Sequence, residues 1–274
     1  MKIFRDSGKL RKWCAERKAA GAKIALVPTM GCLHEGHLSL VREAKRKGAD
    51  EIVVSIFVNP VQFGPNEDYA KYPRSEKSDL AKCRAEGAGA VFLPSPESMY
   101  AADHSVYVDE TRLSKGLCGA RRPGHFRGVC TVVAKLFNIV RPDFAVFGRK
   151  DWQQAQIVKR MVRDLDFGIE IVTAPIVRES GGLAMSSRNG YLSDEERGKA
   201  LAINKAIAGV RCGMSAAQEK RRARSVLEKA GLKVDYVEMV DSSTLEPVSK
   251  TGKGTTVLVA AFAGATRLID NRQL

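Results

Sequence analysis

From residue 23 to about residue 174, short apolar runs alternate with longer amphipathic stretches. Residues 23–27, 51–58, 90–93, 143–147 and 170–173 are rich in Val, Ile and Phe, and the pattern predicts five buried strands. Between them, residues 38–47, 75–87, 128–140 and 152–166 carry the spacing of helices. Strand–helix alternation of this kind predicts an α/β fold, a Rossmann-like doubly wound parallel sheet with helices on both faces. Such sheets bind ligands at the carboxyl ends of their strands, so the segments after each strand are where chemistry is expected.

Past Pro175 the pattern changes. A polar, Gly-rich loop over residues 178–189 leads into helical stretches at 194–211 and 216–230, then strand-like runs at 233–240 and 255–262. The expected organisation is a Rossmann-like domain over residues 1–175 and a smaller C-terminal α+β lid domain over residues 176–274.

Composition narrows the class. An apolar fraction of 44% with 28% charged residues is that of a folded protein of ordinary type. Residues 1–23 are charged throughout with no apolar h-region, and the longest apolar stretch, around 255–266, is far short of the ~20 residues of a spanning helix. A cytoplasmic protein with no membrane partner is the expectation. Cysteines at 14, 32, 83, 118, 130 and 212 contain no Cys-x-x-Cys pair, which favours structural thiols in a reducing compartment. The net charge of +14 leaves nucleic acid, acidic membranes and anionic small molecules open. Its one local cluster, Lys220-Arg221-Arg222-Ala223-Arg224, has helical neighbours and is read as a solvated helix face. With 7% aromatics the sequence lacks the interleaved basic and aromatic surface of a single-strand nucleic-acid binder, so no nucleic-acid partner is expected.

Four constellations could carry chemistry. The first, Pro28-Thr29-Met30-Gly31-Cys32-Leu33-His34-Glu35-Gly36-His37, follows the first predicted strand and opens a helix. Its glycines let backbone approach a ligand, a helix N-terminus offers N–H groups to phosphate, and two imidazoles three residues apart can serve one group. A pair of zinc ligands and an ordinary pair of solvent-facing histidines are the competing readings, while the absence of a Walker-type loop excludes that phosphate site. The second is Phe57-Val58-Asn59-Pro60-Val61-Gln62-Phe63-Gly64, whose amides suit hydroxyl and carboxylate groups, or simply a turn. The third, Phe147-Gly148-Arg149-Lys150-Asp151-Trp152-Gln153-Gln154, places Lys150 for phosphate or carboxylate and Asp151 for ribose hydroxyls or a helix cap. The fourth, Met185-Ser186-Ser187-Arg188-Asn189, suits an anion, with Gly181 and Gly182 supplying hinge freedom for a closing loop. Three lie at strand ends and one on a mobile loop, so a single cleft is expected to collect them.

His34-Glu35-Gly36-His37 resembles the His-x-Gly-His motif of the nucleotidyltransferase superfamily, and Met185-Ser186-Ser187-Arg188 resembles its flexible Lys-Met-Ser-Lys-Ser counterpart. The strings at 28–37, 57–63, 72–74, 122–129, 148–154 and 182–191 are similar in order and spacing to the pantothenate synthetase (pantoate–β-alanine ligase) family. Leu268-Ile269-Asp270-Asn271 also has that family's look, so the resemblance covers nearly the whole chain.

The resemblance implies that ATP and (R)-pantoate give an enzyme-bound pantoyl adenylate, which β-alanine attacks to release pantothenate and AMP. Mg²⁺ accompanies the ATP, and a homodimer is implied. Met30, Gly31, Cys32, Leu33, His34, Glu35, Gly36 and His37 would line the ATP site, with His37 the foremost catalytic donor beside His34. Gln62 and Gln154 would grip pantoate with Asn59 nearby, and Gln62 would border β-alanine. Gly148, Arg149, Lys150 and Asp151 form the string that holds nucleotide, with Lys150 on phosphate and Asp151 on ribose. Val177 and Met185 would contact adenine, while Ser186, Ser187 and Arg188 close over the phosphates. Arg149 stands where the family more often has Glu; it either turns to solvent or alters the lining, and it receives no role of its own. Cys32, where a small or polar residue is more usual, is assigned no reactivity. The metal ligands are left unassigned. The rivals are a nucleotidyltransferase that stops at the adenylate or takes another acid, a nucleic-acid-binding module, and a zinc hydrolase built on the two histidines.

Overall fold

The structure, a computed structural model, describes residues 1–65 and 67–274. It divides into two compact units, one of Met1–Gly148 with Gln154–Ala174, the other of Arg149–Gln153 with Pro175–Leu274. Arg149–Gln153, which the sequence places in the first domain, thus packs with the C-terminal unit.

The first unit is built on six strands: β1 (Lys2–Phe4), β2 (Ile24–Thr29), β3 (Glu51–Ile56), β4 (Ala90–Phe92), β5 (Phe144–Gly148) and β6 (Glu170–Ala174). They form one parallel sheet in the order β1-β4-β3-β2-β5-β6. The central strands β2, β3, β4 and β5 are buried on both faces because nearly all of their residues are apolar. Ala25, Val27, Ile52, Val54, Val91, Phe144, Val146 and Val172 share one face with Leu40, Val41 and Ala44 of helix Glu35–Arg46. The alternate positions Ile24, Leu26, Val53 and Phe92 are equally inaccessible.

The chain runs outward from β2 through β3 to β4, then returns to the other side of β2 for β5 and β6. The switch point therefore lies between β2 and β5. Their ladder holds only Ala25↔Phe144 and Leu26↔Ala145, so the two strands part over their last residues. A crevice at such a point, outside the carboxyl ends of the strands, is where open α/β sheets take ligands.

The edge strand β1 and helix Ser7–Ala19 lie in the charged N-terminal stretch that the sequence leaves without elements. The helix has almost no amphipathic contrast and buries only Leu10, Trp13 and Cys14, so its periodicity is masked by Lys and Arg.

In the second unit, helices Asp194–Ala208 and Ala216–Lys229 pack on an antiparallel sheet of β7 (Lys233–Asp241), β8 (Thr255–Ala263) and β9 (Thr266–Gln273). β9 reads Thr-Arg-Leu-Ile-Asp-Asn-Arg-Gln and escapes the apolar pattern because three of its four buried residues, Thr266, Asp270 and Asn271, are polar. In the basic cluster of helix Ala216–Lys229, Lys220 pairs with Glu238, Arg222 with Glu219 and Arg224 with Glu228. The cysteines form no disulfide among the described residues, and burial pushes the Cys83 thiol up to about 11 and that of Cys130 to about 12. Among the described residues no helix is long and apolar enough to cross a membrane.

Candidate active site

β2 ends in Thr29, whose hydroxyl donates to Ser55 O (2.7 Å) and accepts from Gly31 N (3.2 Å). The chain then turns through two residues of positive φ, Gly31 at 86° and Cys32 at 49°. Glycine tolerates this region; a cysteine there needs compensation. It comes from Asp79 of helix Glu76–Ala85, a carboxylate only 1% exposed. Asp79 accepts the N–H groups of Cys32 and Leu33, both at 2.8 Å, and the Ser75 hydroxyl at 3.0 Å. One turn later, Lys82 Nζ donates to Leu33 O at 2.6 Å. One helix thus grips both the donors and an acceptor of the loop.

His34 occupies the N-cap of helix Glu35–Arg46, a position usually held by Ser, Thr, Asp or Asn. Its Nδ1 accepts from Gly36 N at 3.1 Å, and His37 Nδ1 accepts from His34 N at 3.3 Å. A backbone N–H can only donate, so each Nδ1 bears a lone pair and each ring carries its proton on Nε2. The rings lie 4.0 Å apart and inclined by 33°, so the two Nε2–H donors are borne side by side at a helix N-terminus. That arrangement suits an anion. Among the described residues no group of three or more His, Cys, Asp or Glu side chains could hold a metal ion.

Asn59 and Gln62 sit in the turn after β3. Asn59 caps the 3-10 turn Pro60–Gln62 and is 1% exposed. Its amide donates to Gly128 O (3.1 Å) and Gln62 Oε1 (3.2 Å), and its oxygen accepts from the Tyr100 hydroxyl (2.8 Å). Gln62 Nε2 in turn reaches Met30 Sδ at 2.9 Å, tying this turn to the loop after β2. Gly128 on helix His125–Val140 makes the approach possible. A Cβ there would stand 2.5 Å from Val61 O and 2.6 Å from Gln62 N. His125 Nδ1 donates to Gln62 O at 2.9 Å, leaving Nε2 to accept from Arg122 at 3.0 Å. Arg122 also grips Glu67 through two bonds of 2.7 and 2.6 Å; burial would raise that carboxyl, but the guanidinium outweighs it and holds it below its usual range. Gln154 is half-buried on helix Trp152–Asp164.

The C-terminal unit holds the rest. Arg149–Asp151 forms a 3-10 turn directly after β5, with Asp151 exposed and Lys150 half-buried. Burial pushes the Lys150 ammonium below its ordinary value, and Arg188 pushes the same way, against Asp151 and Asp270. Arg149 is half-buried, and its shielded Nε has no hydrogen-bond partner among the described residues. Val177 and Met185 face each other across a hairpin, Met185 N donating to Val177 O at 3.0 Å. Ser186 caps the 3-10 helix Ser187–Tyr191 that carries Arg188.

Gly181 and Gly182, the expected hinge, have a close-packed surrounding. Both lie in the hairpin's turn, against helix Asp194–Ala208, where a Cβ would meet Leu201 at 3.0 Å and Asn204 at 2.6 Å. Glu179 ties this turn down by accepting from Asn189 (2.7 Å) and from Arg197. The glycines serve close packing in a pinned hairpin.

The four constellations thus form two groups. Met30, the two histidines, Asn59 and Gln62 are linked within the first unit. Lys150, Asp151 and Arg188 are linked within the second. Asp79, Tyr100, His125, Gly128, Asp270 and Asn271 support these groups and received no role from the sequence. The strings around residues 122–129 and 268–271 hinted at His125, Gly128, Asp270 and Asn271, while no string included Asp79 or Tyr100.

Known proteins match the chain over nearly its whole length. The family model for pantoate-beta-alanine ligase matches residues 2–273. The pantothenate synthetase of Anaeromyxobacter dehalogenans is 54% identical over 283 residues, covering 99% of this chain and 98% of that one. That of Thermotoga petrophila is 52% identical, covering 99% of each. The crystal structure of pantothenate synthetase from Thermus thermophilus superposes with a TM-score of 0.92 at 43% identity, covering 100% of this chain and 99% of that one. The pantoate-beta-alanine ligase of Francisella tularensis, complexed with beta-gamma ATP and beta-alanine, gives 0.83 at 31% identity over 100% and 97%.

Proposed function

The chain belongs to the pantoate–β-alanine ligase family, and from that premise we propose how its residues divide the work of joining pantoate to β-alanine at the expense of ATP. The enzyme is a ligase of pantothenate biosynthesis. In the first step a pantoate carboxylate oxygen attacks the α-phosphorus of ATP. The Pα–O bond to pyrophosphate breaks, and a pantoyl adenylate forms. In the second, the β-alanine amine attacks the acyl carbon, the C–N bond forms, AMP leaves and the amine loses a proton.

Two anions meet in the first step, so donors must be concentrated there. Residues 30–37 line the ATP site, with His34 and His37 donating through Nε2 to the phosphates and His37 the principal catalytic donor. Gln62 and Gln154 orient pantoate, Asn59 fixes Gln62, and Gln62 borders β-alanine. Gly148, Lys150 and Asp151 hold the nucleotide, Lys150 on phosphate and Asp151 on ribose. Val177 and Met185 contact adenine; Ser186, Ser187 and Arg188 hold phosphate oxygens. Residues 1–175 serve as the ATP- and pantoate-binding domain and residues 176–274 as the lid. Mg²⁺ enters as the ion of the ATP substrate, carried by phosphates and water. The same reading extends to a cytoplasmic homodimer.

The observation that supports this reading best is the position of the His34–His37 cap, at a helix N-terminus following β2 where that strand parts from β5. The test is pantoate-dependent exchange of labelled pyrophosphate into ATP without β-alanine. Exchange is expected; its absence from folded protein supplied with pantoate and MgATP would overturn the assignment.

A further inference from the structure

Strand β9 carries two adjacent buried polar residues, Asp270 and Asn271, each 3% exposed. Neither has a task in the chemistry above, yet each holds a segment that does. Asn271 Nδ2 donates to the carbonyls of Arg149 and Lys150, both at 2.8 Å. Asp270 accepts the Arg178 guanidinium through two bonds of 2.6 and 2.9 Å, and accepts Asn271 N at 2.8 Å. Arg178 bridges to Ala184 within the hairpin, donates to Gly182 O at 3.0 Å, and so fixes the segment leading into Ser186, Ser187 and Arg188. β9 is paired with β8 from Thr256↔Gln273 to Ala263↔Thr266, so both arms extend from a continuous ladder.

We propose that Asp270 and Asn271 are positioning residues: Asn271 sets the place of Lys150 through its backbone, and Asp270 supplies the buried negative charge facing Lys150 while anchoring the Arg178 hairpin. This rests on the reading that Lys150 meets the ATP phosphates. Charged groups face Lys150 from three elements: Asp151 from its own turn, Arg188 from Ser187–Tyr191, and Asp270 from β9, where Arg178 in turn faces Asp270. Asp151 is exposed and screened by water, whereas Asp270 is not. Burial raises the Asp270 carboxyl, opposed by Arg178, by the Asn271 N–H and by Lys150. Without the Asp270 charge, burial and Arg188 act on Lys150 with less opposition, and Arg178 adds a further uncompensated positive charge.

The two residues are therefore separable by experiment. The full chain is assayed for pantoate-dependent pyrophosphate exchange across pH, with thermal unfolding alongside. Asp270→Asn moves the basic limb of the kcat profile to lower pH by about one pH unit. Asp270→Glu, which restores the charge, returns it toward wild type. Asn271→Ala lowers kcat by roughly tenfold to thirtyfold, the effect of two lost hydrogen bonds, and leaves the limb in place. If Asp270→Asn does not fold, Asn271→Ala and the Asp270→Glu profile carry the test. An unmoved limb in Asp270→Asn, or an Asn271→Ala protein with wild-type kcat and only a lower Tm, overturns the inference. Lys150→Met, run in parallel, separates the two levels. Wild-type exchange in that variant sinks the role of Lys150 itself. Abolished exchange there, with kcat and limb unchanged in the β9 variants, sinks only the positioning role.

Discussion

Replacing Asp79 by Asn tests how the loop before the paired histidines is held. The carboxylate receives Cys32 N and Leu33 N at 2.8 Å each, in a site where it is 1% exposed. A hydrogen bond to a charged group contributes about 1.5–3 kcal/mol, and an amide in its place keeps one acceptor while turning an NH₂ toward the other N–H. The loss is thus about 2 kcal/mol or more. It falls on a segment already carrying the cost of Cys32 at φ 49°, on the order of 1–2 kcal/mol. Freed from Asp79, the loop must be ordered by the nucleotide, and about 2 kcal/mol of ordering corresponds to roughly a thirtyfold fall in kcat/KM for ATP. Steady-state kinetics with varied ATP, with circular dichroism to verify folding, measures this directly. Asp79→Asn with kcat/KM for ATP within about threefold of wild type would refute the reasoning.

Gly128→Ala forces a Cβ against the backbone of Val61 and Gln62, which cannot rotate aside, so the turn must lift from its helix at about 1–3 kcal/mol. Since Gln62 is the proposed pantoate ligand, the expected result is a raised KM for pantoate with a smaller effect on KM for ATP; an equal rise in both would contradict it. His37→Ala, Lys150→Ala and Arg188→Ala are each expected to cut the adenylation rate by ~10²-fold or more with the fold retained. Near-wild-type turnover in any one removes that residue from the proposed chemistry.

Much of the molecule is determined by local sequence. Five strands of the parallel sheet declare themselves because strands covered by helices are predominantly apolar runs. The four chemical strings are legible because strand ends, glycines and unusual polar runs are all local features. Elements whose burial is paid in hydrogen bonds were not: β9 hides its role behind Asp270 and Asn271, and helix Ser7–Ala19 behind its charges. Nor does spacing alone show that Asp79 lies beneath Cys32, 47 residues away, or that Gly128 meets Gln62 across 66 positions. Even for His34 and His37, sequence places the pair at a helix start, but capping geometry decides which nitrogen keeps the proton. The physical reason is common to these cases. Periodicity records which face of an element avoids water, whereas a buried polar group is placed by a partner elsewhere in the chain, and only tertiary structure brings that partner to it.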